Sequence, residues 1–360
     1  MYLREIFSGK RVVVTGHTGF KGSWLSLWLS ALEAKVYGIS DIEYDEPSNF
    51  SVSKVKNILE EDIRCDIRDL DPLKSHINRI QPDFVFHLAA QPIVRQSYAD
   101  PLTTFATNAI GSVNVLEAIR QLDNVVCVMI TSDKVYENKE WIWGYRENDQ
   151  LGGLDPYSAS KSMAEIGIRS FYKSFLADKE GIKVAVGRAG NVIGGGDWAA
   201  DRIVPDTMRA WARGDKVTLR NPHSTRPWQH VLEPLGGYLV LARHLALSES
   251  STELEAFNFG PNPEQNATVG ELVDLMGLRW NGGVSVDENA PKQKEAGLLR
   301  LNCDKSQSML GWHAVLSLEE CSDMTVGWYK SFYEKQVEMI QLTFEQIKAY
   351  EEKLVSVVSK

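Results

Sequence analysis

The feature that most constrains the fold is a glycine-rich turn directly after a short apolar run. Residues 11–15 have the sequence RVVVT, and residues 16–22, GHTGFKG, place a glycine at every third position. A β-branched run predicts a buried strand, and glycines at this spacing allow a tight turn and a close approach of the next helix. The sequence therefore predicts a strand, a turn and a helix over residues 22–32, the first unit of a parallel α/β sheet.

The alternation of short apolar runs and longer amphipathic stretches continues along the first half of the chain. Continuous apolar strands separated by helices are typical of a parallel sheet covered by helices on both faces. We therefore expect an α/β fold with a doubly wound parallel (Rossmann) sheet, whose ligands bind beyond the carboxyl ends of the strands. The expected later strands are residues 35–39, 83–88, 125–131 and 256–259, and the expected later helices are residues 104–121 and 231–246.

The pattern changes after residue 187, where Gly, Pro, Trp and Arg become frequent and the periodicity weakens. We interpret this change as a smaller, discontinuous α/β lobe that binds substrate. The predicted division is a dinucleotide-binding Rossmann domain at 1–187 and 228–260, the substrate-binding lobe at 188–227 and 261–330, and a helical tail at 331–360. The tail has a heptad-like stripe of apolar residues, broken by Glu351, which fits a helix packed on its own domain or a coiled coil. The residues of the stripe are Val337, Ile340, Phe344, Ile347, Leu354 and Val358.

Composition disfavours several classes of function. The chain has 39 Lys and Arg against 48 Asp and Glu, a net charge of −9, which argues against nucleic acid or an anionic membrane as a partner. No apolar run has the length of a membrane span, and residues 1–10 lack a signal-peptide pattern, so we expect a cytoplasmic protein. The cysteines are far apart, which predicts reduced thiols and no metal site. They are Cys65, Cys127, Cys303 and Cys321.

The glycine turn predicts a dinucleotide site, because the N–H groups and the dipole of a helix start favour a pyrophosphate. Asp41 stands at the predicted end of the second strand, where a carboxylate accepts a hydrogen bond from a ribose hydroxyl and repels a 2′-phosphate. The sequence thus favours NAD over NADP, although a solvated loop position for Asp41 fits nearly as well. The predicted NAD contacts are Gly16, His17, Gly19, Phe20, Gly22, Asp41, Asp66, Ile67, Ala89, Ala90 and Gln91.

A tyrosine and a lysine at helical spacing predict a catalytic centre. Tyr157 and Lys161 are four residues apart, so they share one face of a helix. A tyrosine is a weak base at neutral pH, but a nearby ammonium and the positive nicotinamide ring both favour its phenolate. Tyr157 is therefore a candidate base for a substrate hydroxyl, and both residues are expected to contact NAD. They follow the run Ser132-Asp133-Lys134, which stands at the end of a predicted strand.

Together these motifs resemble the extended short-chain dehydrogenase/reductase superfamily over nearly the whole chain, up to about residue 330. Dehydratases of that superfamily need an acid and a base after the Ser or Thr. The run Ser132-Asp133-Lys134 is similar to the CDP-glucose 4,6-dehydratases, whereas the dTDP-glucose branch typically has Thr-Asp-Glu. Longer runs resemble the same subfamily: TGHTGFKGSW (15–24), WGYREN (143–148), RAGNVIGGGDWAADRIVPD (188–206) and RPWQHVLEPLGGY (226–238).

The resemblance implies a reaction and a set of catalytic residues. CDP-glucose would lose water to give CDP-4-keto-6-deoxyglucose, with hydride passing from C4 to NAD and returning to C6. Tyr157 would take the proton of the 4-hydroxyl, Ser132 would support that oxygen, and Asp133 would protonate the departing C6 hydroxyl. Lys134 would be either the base at C5 or a protonated group that stabilises an enolate, with His230 and Glu233 as further candidates for this step. The implied catalytic residues are Ser132, Asp133, Lys134, Tyr157 and Lys161.

The second lobe is predicted to bind the nucleoside diphosphate. Residues 188–226 carry seven Lys and Arg but four Asp, and an arginine fork suits phosphate oxygens. Salt bridges to neighbouring aspartates are the alternative role for these arginines. The segment 290–301 lacks a His-Glu pair that the resemblance leads us to expect, which bears on base specificity. The predicted substrate contacts are Asn191, Arg202, Arg226 and His230.

Three alternatives stay open. Two are enzymes of the same fold, a dehydratase for dTDP-glucose or GDP-mannose and a 4-epimerase. The third is a non-catalytic NAD sensor, which needs only the glycine turn and leaves the residues of the catalytic centre without a role. The resemblance also implies a homodimer that pairs through helices 104–121 and 157–171. It further implies a part in deoxysugar synthesis for the O-antigen of lipopolysaccharide.

Overall fold

A computed structural model describes residues 2–42, 47–200, 202–248, 253–262, 265–286 and 299–358. The strands of these residues are β1 (Arg11–Thr15), β2 (Lys35–Ile39), β3 (Glu61–Ile63), β4 (Phe84–His87), β5 (Val125–Ile130), β6 (Ile182–Ala189), β7 (Val192–Ile193), β8 (Val217–Leu219), β9 (Thr225–Pro227), β10 (Gln229–His230), β11 (Glu255–Phe259), β12 (Asn266–Thr268) and β13 (Val284–Val286).

The α-helices of the same residues are α1 (Arg4–Phe7), α2 (Phe20–Ala31), α3 (Asn49–Val52), α4 (Leu70–Ile80), α5 (Val94–Ala99), α6 (Pro101–Phe105), α7 (Gly111–Ile119), α8 (Pro156–Phe171), α9 (Ile203–Ala212), α10 (Leu232–Leu247), α11 (Val269–Trp280), α12 (Asp304–Leu310), α13 (Leu318–Tyr333) and α14 (Met339–Val358). Two 3-10 turns (Val55–Ile58 and Asp133–Val135) and two π segments (Ala106–Ile110 and Tyr172–Leu176) complete the helical elements.

Seven strands form one parallel sheet, in the order β11-β6-β5-β4-β1-β2-β3. The chain winds from β1 outward to β3, then returns to β4 beside β1 and winds outward to the other edge. This order confirms the predicted doubly wound Rossmann sheet. The winding reverses between β1 and β4, and a crevice therefore opens beyond their carboxyl ends, where ligands of such sheets bind.

The apolar character of the strands follows from their burial on both faces. Val12 and Val14 of β1 pack into one core with the helices α2, α10 and α14, whereas Val13 packs into a second core with α4, α7 and α8. Side chains of a strand alternate between faces, so an uninterrupted apolar run is what a doubly covered strand requires. The cores on both faces therefore support the carboxyl edge of the sheet, where the crevice opens.

Smaller sheets lie outside the main one. Strand β9 pairs antiparallel with β12, β8 pairs parallel with β13, and β7 pairs parallel with β10. Helices α9 and α11 pack beside these strands, and Trp211 of α9 donates its indole N–H to the Gly283 carbonyl at 2.9 Å. The segments 203–227 and 266–286 are therefore joined in space although they are distant in sequence.

The C-terminal helix α14 packs against its own chain. Trp28 of α2 meets the ring of Tyr350 edge-on at 5.5 Å, and the hydroxyl of Tyr350 donates to Glu233 of α10 at 2.8 Å. The predicted stripe is right at Ile347 and Leu354 and wrong at Val337, which precedes the helix and is 47% exposed. The reason is that the buried positions follow the 3.6-residue repeat of a straight helix. They are Met339, Thr343, Ile347, Tyr350 and Leu354.

Element boundaries differ from the sequence prediction mainly in the helices. Helix α2 begins at Phe20 rather than at residue 22, because Gly19 is its N-cap. The predicted helix 104–121 starts earlier, at Pro101, where Asp100 caps it by accepting a hydrogen bond from the Thr103 amide. Within the described ranges, no helix has the length and apolarity of a membrane span, and no cluster of His, Cys, Asp and Glu is placed to hold a metal.

Candidate active site

The glycine turn lies at the crevice between β1 and β4. Gly16 has a φ of +73°, and a Cβ there would stand 2.7 Å from the Ala89 amide nitrogen. A Cβ on Gly22 would overlap the Gly16 carbonyl, so the first turn of α2 packs directly on the loop. The N-cap Gly19 offers no side chain to the free N–H groups of α2. The turn therefore presents bare backbone donors, which suit phosphate oxygens.

His17 and Thr18 anchor this turn from behind. The His17 ring is fully buried, and its Nε2 lies 2.8 Å from an oxygen of Asp62. Burial lowers the pKa of His17, and the bond to Asp62 opposes that shift. The hydroxyls of Thr18 and Ser40 are 2.9 Å apart. The structure thus places the His17 ring against β2 and β3, which leaves the backbone of His17 for the predicted cofactor contact.

The residues predicted for the adenosine end lie beyond β2 and β3. Asp41 lies at the end of β2 with its side chain partly open to solvent, and partial desolvation and the charge of Asp66 raise its pKa. Asp66 accepts hydrogen bonds from the Arg68 Nε at 2.8 and 3.0 Å, and this pairing lowers the pKa of Asp66. Ile67 is buried and packs under Gly111 of α7. The two aspartates therefore lie close together at one end of the crevice.

The loop after β4 is tied to α8 by a residue that the sequence analysis missed. Asn108 accepts a hydrogen bond from the Gln91 amide at 2.8 Å, and it donates to the Gln91 carbonyl at 3.1 Å and to Ser160 at 2.8 Å. Asn108 belongs to the π segment that interrupts the helix between α6 and α7. Such widened turns are frequent at functional sites and leave no clear periodic signal in the sequence.

Tyr157 and Lys161 lie on the first two turns of α8. The Asp155 side chain caps the helix by accepting from the Ser158 amide at 2.9 Å. Tyr157 is 9% exposed and Lys161 is 6% exposed. Burial raises the pKa of Tyr157 to about 12, although a hydrogen bond with Ser132 acts in the opposite direction. Burial and the charge of Lys21 lower the pKa of Lys161 to about 8.

Ser132, Asp133 and Lys134 form a tight turn at the carboxyl end of β5, called here the acid–base turn. Ser132 donates its hydroxyl to Asp133 at 2.8 Å and accepts a hydrogen bond from the Lys134 amide at 3.2 Å. A Cβ on Gly190 would stand 3.1 Å from the other carboxylate oxygen of Asp133. This arrangement brings an acid and an amine to one pocket, lined by Asp133, Lys134, Asn191, Arg226, Pro227 and Leu299.

The four predicted substrate contacts occupy different positions. Asn191 is exposed and lines the pocket together with Arg226 of β9. Arg202 donates to Asp197 at 2.7 Å, so it forms one of the salt bridges considered as an alternative. His230 is fully buried and meets Trp24 edge-on at 5.8 Å, and burial lowers its pKa to about 3. The structure therefore brings Asn191 and Arg226 to the pocket and buries His230 against Trp24 of α2.

Two further polar side chains near the site have no counterpart in the sequence prediction. His87, at the end of β4, lies between the hydroxyls of Thr15 (2.8 Å) and Ser112 (2.9 Å), and burial and the charge of Lys161 lower its pKa to about 3. Lys21 lies on the first turn of α2, where burial lowers its pKa to about 8 while the charge of Asp133 opposes the shift. A lysine and a histidine thus flank the crevice.

Comparison with known proteins identifies the class of enzyme to which this fold and site belong. Residues 13–325 match the family model described as GDP-mannose 4,6 dehydratase, and the chain belongs to this family. Among curated relatives, the CDP-glucose 4,6-dehydratase of Salmonella typhimurium is 47% identical over 91% of this chain and 93% of that protein. The predicted class, a sugar-nucleotide dehydratase, is thereby confirmed.

More distant relatives share the fold. A putative UDP-glucose 4-epimerase of Methanocaldococcus jannaschii is 27% identical over 89% of this chain and 98% of that protein. The crystal structure of the Thermotoga maritima UDP-glucose 4-epimerase with UDP-glucose superposes with a TM-score of 0.75 at 22% identity, covering 89% of this chain and 99% of that chain. The UDP-glucose-4-epimerase of Stenotrophomonas maltophila with bound NAD gives 0.77 at 19% identity, covering 91% and 99%.

Proposed function

We propose that the protein converts CDP-glucose to CDP-4-keto-6-deoxyglucose and water. The observation that carries the proposal is the position of Asp133 and Lys134, an acid and an amine at one pocket beside Tyr157 and Ser132. An epimerase needs only the oxidation of C4 and its reversal, whereas removal of water from C5 and C6 needs a further acid and base. The likeness to the Salmonella CDP-glucose 4,6-dehydratase supports the cytidine nucleotide.

The residues of the glycine turn fit NAD as the cofactor. A Cβ on Gly16 or Gly22 would clash with the backbone of the turn and the neighbouring loop, so the compact turn needs glycine at both positions, and the start of α2 offers backbone N–H groups to a pyrophosphate. Asp41 and Asp66 lie where an adenosine ribose would be held, and a 2′-phosphate beside two carboxylates would be repelled. When bound, NAD accepts a hydride from the sugar and returns it within the same catalytic cycle.

Tyr157 and its neighbours act on the sugar 4-hydroxyl. Tyr157 accepts the hydroxyl proton, Ser132 holds the same oxygen through a hydrogen bond, and the charge of Lys161 stabilises the phenolate. The pKa of Tyr157 is raised to about 12 with Lys161 already in place, so the buried phenol needs further positive charge, such as the nicotinamide ring would supply, to act as a base near neutral pH. The hydroxyl of Ser132 reaches both Tyr157 and Asp133, so it can serve both halves of the reaction.

Asp133 and Lys134 act on the resulting 4-ketone. The ketone acidifies the proton at C5, and Asp133 donates a proton to the C6 hydroxyl as water leaves. Two roles fit Lys134, namely removal of the C5 proton in its neutral form and stabilisation of an enolate in its charged form. Arg226 and Asn191 line the same pocket, and we assign the nucleoside diphosphate to Arg226, with Arg202, whose charge acts on Tyr157, as a second ligand.

We infer that the enzyme is a homodimer. The supporting observation is a set of exposed apolar side chains on α6 to α8 and on the π segment between α6 and α7. They are Leu102 (79% exposed), Ile110 (58%), Met163 (48%) and Ile166 (56%). Apolar side chains grouped on helices are typical of subunit interfaces. A cytoplasmic location and a role in deoxysugar synthesis for O-antigen lipopolysaccharide belong to the same proposal, since its product is a deoxysugar nucleotide.

The test is incubation of the purified protein with NAD and, separately, CDP-glucose, dTDP-glucose, UDP-glucose and GDP-mannose. Mass spectrometry would then measure loss of one water. We expect water loss from CDP-glucose. Water loss from only one of the other sugar nucleotides would support the proposed mechanism but assign a different substrate. A sugar of unchanged mass inverted at C4 would indicate an epimerase, and no change with any substrate would favour an NAD-binding protein without catalysis.

A further inference from the structure

A buried ion pair lies directly behind the acid–base turn. Glu165 of α8 and Arg188 of β6 are paired with side chains that are 5% and 3% exposed. The Arg188 Nε donates to one carboxylate oxygen of Glu165 at 3.0 Å, and its Nη2 donates to the other. An ion pair at this depth loses hydration that two apolar side chains of the same size would not lose. Stability alone is therefore a poor explanation for its presence.

The ion pair holds both ends of the acid–base turn. Thr131, which directly precedes Ser132, donates its hydroxyl to Glu165 at 3.0 Å. At the other end, Arg188 donates to the Tyr136 hydroxyl at 2.6 Å, and Tyr136 donates to Asn258 at 2.7 Å. Tyr136 follows the 3-10 turn Asp133–Val135, and its ring lies 4.8 Å from the guanidinium. The turn is thus fixed on each side by one connected set of hydrogen bonds.

The same ion pair fixes the distance from the turn to the phenol. Glu165 and Tyr157 both belong to α8, about two helical turns apart. Because Glu165 also accepts a hydrogen bond from Thr131, a movement of the turn relative to Tyr157 would have to break that bond, while Arg188 holds the Glu165 carboxylate in place. Arg188 further donates to the Glu147 carbonyl at 3.0 Å, which ties in the run 143–148. None of these side chains lines the pocket, and Tyr136 is only 2% exposed.

We propose that Glu165, Arg188 and the Tyr136 hydroxyl are positioning groups that align Asp133 and Lys134 with the sugar after Tyr157 has acted. The proposal rests on the proposed dehydratase function. Oxidation at C4 depends on Tyr157 and Ser132, whereas water loss depends on the middle of the turn. If the hydrogen bond from Arg188 to Tyr136 is lost, the turn is therefore expected to slow the elimination of water more than the oxidation at C4. Misplacement by about 1 Å can cost as much as 100-fold in rate.

The first test compares Tyr136→Phe with Tyr145→Phe. Tyr145 stacks on Tyr136 with 5.1 Å between the ring centroids. Its hydroxyl accepts a hydrogen bond from the Lys139 amide and does not contact Glu165 or Arg188. Tyr145→Phe is therefore a control that removes a hydroxyl from the neighbouring ring without changing the hydrogen bonds of the ion pair. We expect Tyr136→Phe to lower kcat about 10- to 100-fold with little change in KM, and reduced cofactor absorbing near 340 nm to accumulate. Tyr145→Phe should keep the wild-type kcat. Equal loss in both variants, or wild-type kcat in Tyr136→Phe, would overturn the proposal.

A second variant separates positioning from stability. The double substitution Glu165→Leu with Arg188→Met replaces the ion pair by apolar side chains of similar size, which buried pairs often tolerate without loss of stability. We expect a folded protein, judged by its Tm, with the same slow elimination as Tyr136→Phe. Wild-type kcat in the folded double variant would show that the pair is only structural. A wild-type enzyme without activity on CDP-glucose would instead contradict the proposed function, so the two failures are distinguishable.

Discussion

Lys134 can act in either of two protonation states, and each state predicts a different response to substitution. As a base it must be neutral when the C5 proton leaves, whereas as an electrostatic stabiliser it must be charged. Arginine cannot lose its proton in a protein, so Lys134→Arg keeps the charge and removes the base. The pair Lys134→Ala and Lys134→Arg therefore separates the two roles.

We expect Lys134→Ala to block exchange of the C5 proton with solvent, because either role is lost. The measurement is deuterium incorporation at C5 by mass spectrometry after incubation with CDP-glucose and NAD in D2O. Exchange restored in Lys134→Arg would assign the residue to charge stabilisation, and exchange absent in both variants would assign it to proton removal. Wild-type exchange in Lys134→Ala would remove Lys134 from the elimination step.

Two glycines with the same backbone angle provide a matched pair for the cofactor site. Gly16 and Gly9 both have a φ of +73°, but a Cβ on Gly16 would meet Ala89 whereas one on Gly9 would meet nothing within 4 Å. Gly9→Ala should lose about 1–2 kcal/mol of stability from the left-handed backbone, and Gly16→Ala should lose more because its Cβ also clashes with the Ala89 backbone. Only Gly16→Ala should lose NAD affinity, by at least about tenfold, in a fluorescence titration. Equal NAD affinities in Gly16→Ala and Gly9→Ala would contradict the proposal that the close approach of Gly16 to Ala89 shapes the cofactor site.

At the scale of elements, the packing of α14 depends on one buried carboxylate. Glu233 accepts hydrogen bonds from the Val315 and Leu316 amides at 2.9 and 2.7 Å and from the Tyr350 hydroxyl at 2.8 Å. Burial raises the pKa of Glu233 to about 7, although these bonds oppose the shift; the charge of Glu320 adds to it. Glu233 therefore joins α10, α14 and the chain before α13.

This raised pKa predicts a particular pH dependence of stability. Between the ordinary pKa of a glutamate and about pH 7, the folded state holds a proton that the unfolded state has lost. Stability therefore falls as pH rises through that window, by roughly 3 kcal/mol. Glu233→Gln removes this term, so its Tm relative to wild type should rise from about pH 5 to about pH 7. Glu352→Gln, an exposed change on α14, is the control, and a constant Tm difference for Glu233→Gln would contradict the prediction.

How accurately the sequence predicts the structure depends on the kind of element. Strands β1 and β2 were predictable to the residue, because a doubly covered sheet demands continuous apolar runs. Tyr157 and Lys161 were predictable as neighbours because both lie on one helix. Asn108 was not, since it depends on a local π turn. The Glu165–Arg188 contact was not predictable either, because it joins a helix to a strand that is distant in sequence, and the periodicity of neither element shows which residues of the other it contacts.

At the scale of the whole molecule, the exposed apolar side chains of α8 predict the oligomeric state. Ile166 is 56% exposed on this helix, and Leu278 is 80% exposed on α11, outside the proposed interface. A charge at a buried subunit interface is costly, so Ile166→Glu should convert a dimer to a monomer in light scattering after size-exclusion chromatography. Leu278→Glu should stay dimeric. A monomeric wild-type enzyme, or a dimeric Ile166→Glu, would contradict the proposed interface.

The position of β11 in the sheet has a consequence for synthesis on the ribosome. Strand β6 is complete once residue 189 has been made, but its outer neighbour β11 is Glu255–Phe259, so that edge has no partner for the next 65 or so residues. Strand β6 is nearly all buried in the finished sheet. An open apolar edge of this kind pairs readily with other chains. Nascent chains paused between these strands should therefore be the species most prone to aggregation and most dependent on chaperones.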